Sequence, residues 1–160
     1  MSTLNQFIGI ASTICPSSAT IIGRAPNVFS TTFDTGAPLG SRPNLACGFL
    51  LCKTGGNTAW IVAPRCAEVS RTWYCREDAV TQANNCTGCV GNWFVPTCGQ
   101  LQNPGYTCRT YWDSFSSTNY WSSTESTAAY ACYVCFTIGG AGFSTKSTTR
   151  CVRAFRCVTY

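Results

Sequence analysis

Histidine is absent from this chain, lysine occurs only at positions 53 and 146, and only six carboxylates are spread over 160 residues. The missing histidine removes the commonest general base and the usual Ser-His and Cys-His nucleophile arrangements. The six carboxylates, Asp34, Glu68, Glu77, Asp78, Asp113 and Glu125, show no spacing that demands the acid/base pair of a glycosidase. Glu77 and Asp78 are adjacent, so on a helix they diverge by about 100° and read as a solvated first turn that complements the helix dipole. No glycine-rich phosphate loop is present; Gly139-Gly140-Ala141-Gly142 falls between strand candidates, where a tight turn accounts for it. No run approaches the ~18 apolar residues of a membrane span, so no membrane insertion is expected. The start, MSTLNQFIGIASTICPSS, carries no Lys or Arg ahead of its apolar patch and so lacks the charged opening of a secretory signal. A product made in a cytoplasm and kept soluble is the expectation.

Aliphatic residues are also scarce: even with Phe added, Leu, Ile and Val come to just under a fifth of the chain. Such a fraction signals disorder only with a large net charge, and here the charge is +5. The apolar area comes instead from 21 aromatic residues (5 Trp, 7 Tyr, 9 Phe) and 13 cysteines. One compact, aromatic-rich domain suits this length. Basic residues are scattered except for Arg150, Arg153 and Arg156, so the concentrated positive stripe of a nucleic-acid footprint is missing and no nucleic-acid partner is expected. On one extended strand, Arg150 and Arg156 share a face and Arg153 takes the other, which favours structural bridging over a patch.

Thirteen cysteines in a secreted protein would announce a disulfide framework, with at least one left over. Cys86/Cys89 and Cys132/Cys135 form two CxxC pairs, but about 43 residues separate them, against roughly 15 to 20 in a zinc ribbon. Cys132 and Cys135 also lie in a strand-like run, where odd spacing puts them on opposite faces. The expectation is therefore no metal, no other cofactor, and mostly reduced thiols acting as small buried hydrophobes, with a few bridges formed in an oxidising medium.

Along the chain, residues 1–43 are rich in Ser, Thr, Ala, Pro and Gly and read as an arm or assembly segment. Residues 44–160 read as an α+β domain. ACGFLLCK and TAWIVAP, joined by TGGN, predict a hairpin. A helix is predicted from Trp73 to Asn85, closed by Asn-Cys-Thr-Gly-Cys. Thr97 is placed to cap a short helix from Cys98 that Asn103-Pro104-Gly105 breaks, and a second helical turn is predicted over Tyr106 to Trp112. Strands are predicted at Tyr120–Ser123, Ala131–Phe136 and Cys151–Val158. Asn85-Cys86-Thr87 matches a glycosylation sequon, which means nothing without a secretory route.

WFVPTCGQLQ, YWSSTE and VRAFRCV occur in this order, and with them the chain resembles the C-terminal domain of bacterial collagen-like adhesins, whose relatives also occur in phage virion proteins. The likeness spans roughly Asn44 to Tyr160, with Val95 where the family has Leu and with cysteines beyond the family pattern. It implies a C-type-lectin-like fold in which early and late strands pair, and binding in place of catalysis. The calcium tripeptide of true C-type lectins is only echoed by Gln102-Asn103-Pro104, and Trp112-Asp113 lacks the Asn of the WND motif, so no calcium site is expected.

Trp112, Tyr120 and Trp121 read as core. Binding-surface candidates are the polar segments flanking the strands: Asn119, then Glu125, Ser126, Thr127 and Tyr130, then Ser144, Thr145, Lys146, Ser147, Thr148 and Thr149. The expectation is a non-enzymatic virion-surface or tail-fibre component. Its arm, residues 1–43, binds other virion structural proteins. Its domain attaches to a host cell-surface protein or glycan, in a homo-oligomer of trimeric form. Capsid decoration or cementing is the alternative, and a small carboxylate- or cysteine-dependent enzyme is the alternative of another class.

Overall fold

In a computed structural model, residues 36–42 and 47–159 are described. All of the predicted arm except residues 36–42 lies outside the described residues. The first strands, β1 (Phe49–Thr54) and β2 (Thr58–Val62), form the predicted antiparallel hairpin. Its three-residue connection needs two successive left-handed residues, Gly56 (φ 80°) and Asn57 (φ 59°), and these types tolerate that geometry best. Residues 36–42 belong to this body: Gly40 N–H donates to Leu50 O, Leu50 N–H donates to Ser41 O, and Ala37 is buried.

After a 3-10 turn at Arg65–Ala67 come β3 (Val69–Thr72) and a second 3-10 turn, Trp73–Cys75. Helix α1 covers Asp78–Thr87 and ends on left-handed Gly88 (φ 68°), whose N–H donates to Asn84 O. The predicted helix is thus shifted: Trp73 to Cys75 form a separate turn, because Trp73 is anchored elsewhere through its ring. The sequon lies inside α1, and the Thr87 hydroxyl is buried and donates to Ala83 O.

The two-residue strand β4 (Trp93–Phe94) leads to α2 (Cys98–Gln100). Thr97 caps α2 with a full capping box: Gln100 N–H donates to Thr97 Oγ1, and Thr97 N–H donates to Gln100 Oε1. The chain coils on through Leu101–Tyr106, leaves helical geometry at Asn103 (φ −140°, ψ 114°), and has a cis Asn103–Pro104 peptide. A 3-10 turn follows at Arg109–Tyr111.

The rest is β: β5 (Asn119–Glu125), β6 (Tyr130–Cys135), β7 (Ala141–Thr145), β8 (Thr149–Val152) and β9 (Phe155–Thr159). One sheet has the order β1-β2-β9-β4 and the other β3-β8-β5-β6-β7. The single last strand predicted over Cys151–Val158 is in fact two. The chain breaks at Arg153-Ala154 and changes sheets, so Arg150 and Arg156 lie in different sheets and do not share a strand face. The architecture is α+β, with two helices and two sheets among the described residues.

Two apolar clusters hold it together. One joins Leu50, Ile61 and Trp93 to Ala79 and Ala83 of α1 and to Trp121 and Val152. The other joins Leu51, Val62 and Phe155 of the first sheet to Tyr120 and Val134 of the second, with Leu101, Trp112 and Phe136 between them. Trp112 touches four rings, those of Phe115, Tyr120, Phe136 and Phe155, at centroid distances of 5.0 to 6.3 Å. Trp112, Tyr120 and Trp121 are core, as read from the sequence.

The cysteines depart from expectation. Cys47–Cys89, Cys66–Cys86 and Cys98–Cys132 are disulfides. Cys52, Cys75, Cys108, Cys135, Cys151 and Cys157 are free, and none of them is fully buried. The two buried cysteines among the described residues, Cys47 and Cys132, are both bridged, so no described cysteine is the buried free thiol that was expected. Such bridges form and persist in oxidising surroundings. Three of the four CxxC cysteines are spent in them, and no group of three or more metal-ligating side chains converges among the described residues. No described helix is long and apolar enough to cross a membrane.

Candidate functional site: a rim of two interlocked loops

Most of the candidate residues come together at one end of the second sheet. The β5–β6 loop is a tight turn in which Ser126 and Thr127 N–H groups both donate to Tyr130 O. Thr127 Oγ1 accepts from Ala129 N–H and Tyr130 N–H, which fixes the loop from within. Across the sheet, Tyr130 faces Thr145 in the β6–β7 register. The β7–β8 turn closes through Thr148 N–H to Thr145 O, and the Thr145 and Thr148 hydroxyls lie 2.9 Å apart.

Lys146 locks the two loops together. Its Nζ donates to Glu125 Oε1 at 2.7 Å and to Ala128 O at 2.9 Å, and it sits 4.5 Å from the centre of the Trp73 ring. Lys146 N–H donates to Ala129 O, and Lys146 O accepts from Trp73 N–H. The lysine is only 3% exposed, so it organises the rim and is not offered to a partner, contrary to its selection as a contact residue. Trp73 in turn donates from Nε1 to Ser122 O, which ties the first loop's strand to the preceding turn. The result is a pre-ordered edge in which both loops are fixed by hydrogen bonds.

Ser126, Thr127, Tyr130, Thr145, Ser147 and Thr149 are exposed on this edge, while Ser144 and Thr148 are half-buried. Tyr130 is 45% exposed. Asn119 does not belong with them: it opens β5, opposite Cys135, and six residues of strand put it roughly 20 Å from Glu125. Sequence reasoning missed Phe143, 62% exposed on β7. It lies two residues before Thr145 and so shares its face, beside Tyr130. The alternation in Ala141-Gly142-Phe143-Ser144-Thr145 was the available signal, obscured by the glycines around it.

The carboxylates are occupied as ion-pair partners. Glu68 meets Arg65 and Arg153, Glu77 meets Arg76, Asp78 meets Arg71, Asp113 meets Arg153, and Glu125 meets Lys146. Asp34 lies outside the described residues. The densest of these arrangements surrounds Arg153, whose side chain is fully buried where the chain changes sheets. Arg153 donates to Ala63 O at 2.7 Å, to Ser114 O, to Asp113 and, at 3.5 Å, to Glu68. Glu68 also accepts from the Tyr120 hydroxyl at 2.6 Å, from Ser116 Oγ at 3.0 Å and from Arg65 at 2.6 Å. Burial, reinforced by the Glu68 carboxylate, pushes the Tyr120 phenol well above its ordinary range. A carboxylate held by four donors has no lone pair directed at a substrate; this network bridges elements. Arg150 is likewise engaged, stacked 4.0 Å from the Tyr133 ring centre.

The chain matches no protein-family model, and no curated protein matches it.

Proposed function

We propose that this chain is a non-enzymatic attachment protein of a phage virion surface or tail fibre, with a C-type-lectin-like domain that grips a host-surface protein or glycan through the Tyr130 rim. The observation that carries the reading is the rim itself: two hydroxyl-rich loops, cross-tied by Lys146, hold an exposed tyrosine in fixed surroundings. Tyrosine with small hydroxyl residues is the composition of recognition loops, because the ring gives broad contact with few rotatable bonds. The five described carboxylates, each paired with a cation, favour binding over acid/base chemistry. Pairing of β2 with β9, early strand with late, is the feature that supports the lectin-like reading of the fold. On this reading residues 1–43 fasten the domain to other virion proteins, a homotrimer multiplies weak contacts, and the bridges belong to a protein acting outside the cell.

Phe143 favours a second reading, decoration or cementing of a capsid. It projects from β7, an edge strand, and an exposed aromatic on an unpaired edge suits a neighbouring subunit. Electron microscopy of particles labelled with an antibody against the 125–130 loop separates the two. Label at the tail or fibre tips, with Fab fragments blocking adsorption to host cells, supports attachment. Label over the capsid with adsorption unaffected supports decoration, and particles without label refute both. Tyr130→Ala should reduce adsorption at least tenfold on the first reading while leaving the unfolding free energy within about 0.5 kcal/mol of the parent.

A further inference from the structure

Four strands end the two sheets, β1 and β4 in the first and β3 and β7 in the second. Three of them are blunted. On β1, Leu50 already exchanges backbone bonds with Gly40 and Ser41, and the strand carries Lys53. Strand β3 carries Arg71, which is paired with Asp78 of α1, and β4 has only two residues. Strand β7, Ala141-Gly142-Phe143-Ser144-Thr145, has five residues, no charge, no proline and no bulge in its register with β6. It lacks the devices that normally keep an edge from pairing.

The direction of its outer backbone groups follows from that register. Cys135 N–H donates to Gly140 O at one end of the β6–β7 ladder, and Lys146 N–H donates to Ala129 O at the other. Antiparallel partners are bonded at every second pair, so Gly142 and Ser144 bond to β6 while Ala141, Phe143 and Thr145 turn their backbone groups outward. Thr145 O accepts from Thr148 N–H, and no other described backbone group bonds to the outer side of these three. Phe143, the middle one, is 62% exposed. The opposite face of the strand is closed by Tyr133, whose hydroxyl would lie 2.7 Å from a Cβ placed on Gly142.

We propose that β7 pairs antiparallel with β7 of a second copy of this chain, about a twofold axis at Phe143. Three outward residues with one at the centre are self-complementary: the axis sets Phe143 against its own counterpart and Ala141 against Thr145. The two Phe143 residues exchange both N–H···O bonds, with Cα atoms about 5.5 Å apart, and their rings project side by side on one face. A strand from an unrelated protein would meet the same backbone groups without this matched ring. Charge points the same way. The chain carries a net charge of +5, so two copies approach with least repulsion at an edge that has none. The adjoining Lys146 is buried and paired with Glu125. Two five-stranded sheets then run on as one, with the two Tyr130 rims at opposite ends because the strand direction reverses. A contact this small makes a weak, reversible association, and it joins two copies whether or not a trimer forms through another surface. It goes beyond both readings of what the domain grips, and an edge so occupied is closed to a capsid subunit.

Sedimentation velocity of the full chain over a concentration series, with amide hydrogen exchange resolved by residue, tests this. The expected result is a particle mass that doubles as concentration rises, with protection of the Phe143 and Thr145 amides rising in step. Phe143→Lys places like charges opposite each other and should weaken the doubling at least tenfold, while Phe143→Tyr should retain it. A mass independent of concentration would overturn the proposal, as would doubling that persists in Phe143→Lys or that brings no protection to these amides. The wild-type mass and exchange decide even if the lysine variant fails to fold. Neither measurement involves host adsorption, so failure here leaves the attachment reading to its own test.

Discussion

Replacing Arg153 by Leu removes the cation that joins the two sheets and leaves its partners stranded. The side chain is fully buried and meets two carboxylates and two backbone carbonyls, those of Ala63 and Ser114. Glu68 keeps Arg65, Ser116 and Tyr120, but Asp113 keeps only the Arg65 N–H, and both carbonyls lose their side-chain donor. Breaking a buried pair by deleting one partner costs about 3–5 kcal/mol, because the other charge stays desolvated. With a urea dependence of about 2 kcal/mol per molar, a 4 kcal/mol loss lowers the midpoint by about 2 M. Trp112 is a convenient reporter, since the guanidinium carbon lies 5.0 Å from its ring centre. Arg153→Lys should lose less, retaining the charge but not the planar fork that spans several acceptors. A urea midpoint for Arg153→Leu within 0.5 M of the parent would refute the claim that this network holds the sheets together.

Stability should also fall with rising pH on account of Tyr120. Its folded phenol ionises later than the unfolded one, so the unfolded state binds fewer protons above about pH 10 and unfolding gains there. The stabilisation is complete below that pH and is lost above it, and Tyr120→Phe should give a flatter stability curve between pH 10 and 11; equal slopes would count against it. Thr97→Ala deletes one arm of the capping box and should cost about 1 kcal/mol in chemical denaturation, with the loss of hydrogen-exchange protection confined to α2 and its flanks. The Thr137 backbone N–H, with Ile138 and Arg150 nearby, holds the Cys135 thiol below the usual range, whereas partial desolvation holds that of Cys157 above it even though this side chain is exposed. Iodoacetamide at pH 7 should therefore label Cys135 several times faster than Cys157, and site-resolved mass spectrometry showing equal rates would exclude that ordering.

The parts of the fold legible in the sequence were those written in short-range chemistry. The β1–β2 hairpin carries its own glycine-rich turn, and Thr97 carries its capping partner three residues on. What escaped depends on contacts between distant segments. Trp73 looked like the first residue of a helix because the residues after it are good helix formers. Its indole is instead fixed by Ser122 O, 49 positions away, and by Lys146, so helix α1 starts only at Asp78. CVRAFRCV alternates like one strand, yet Arg153 finds Glu68 and Asp113, and the strand must break there to bury it. Cysteine pairing is of the same kind, since connectivity is set by the folded backbone and not by the CxxC spacing.

That distinction bears on the candidate rim. Its polar loops could be read from composition, but their mutual position could not, because it rests on the β6–β7 register and on Lys146, a residue whose charge suggested exposure. Lysine is rarely buried without a partner, and here an ion pair, a carbonyl and an aromatic face supply three. Lys146→Met should preserve most of the packing volume while severing the tie to Glu125 and Ala128. If the rim's geometry is what a partner recognises, binding should weaken although Lys146 itself touches nothing outside the protein. Amide exchange at Ser126–Tyr130 should accelerate in parallel. Weakened binding with unchanged exchange in this loop would mean that Lys146 contacts the partner directly, and the account of the rim as a pre-ordered edge would fail.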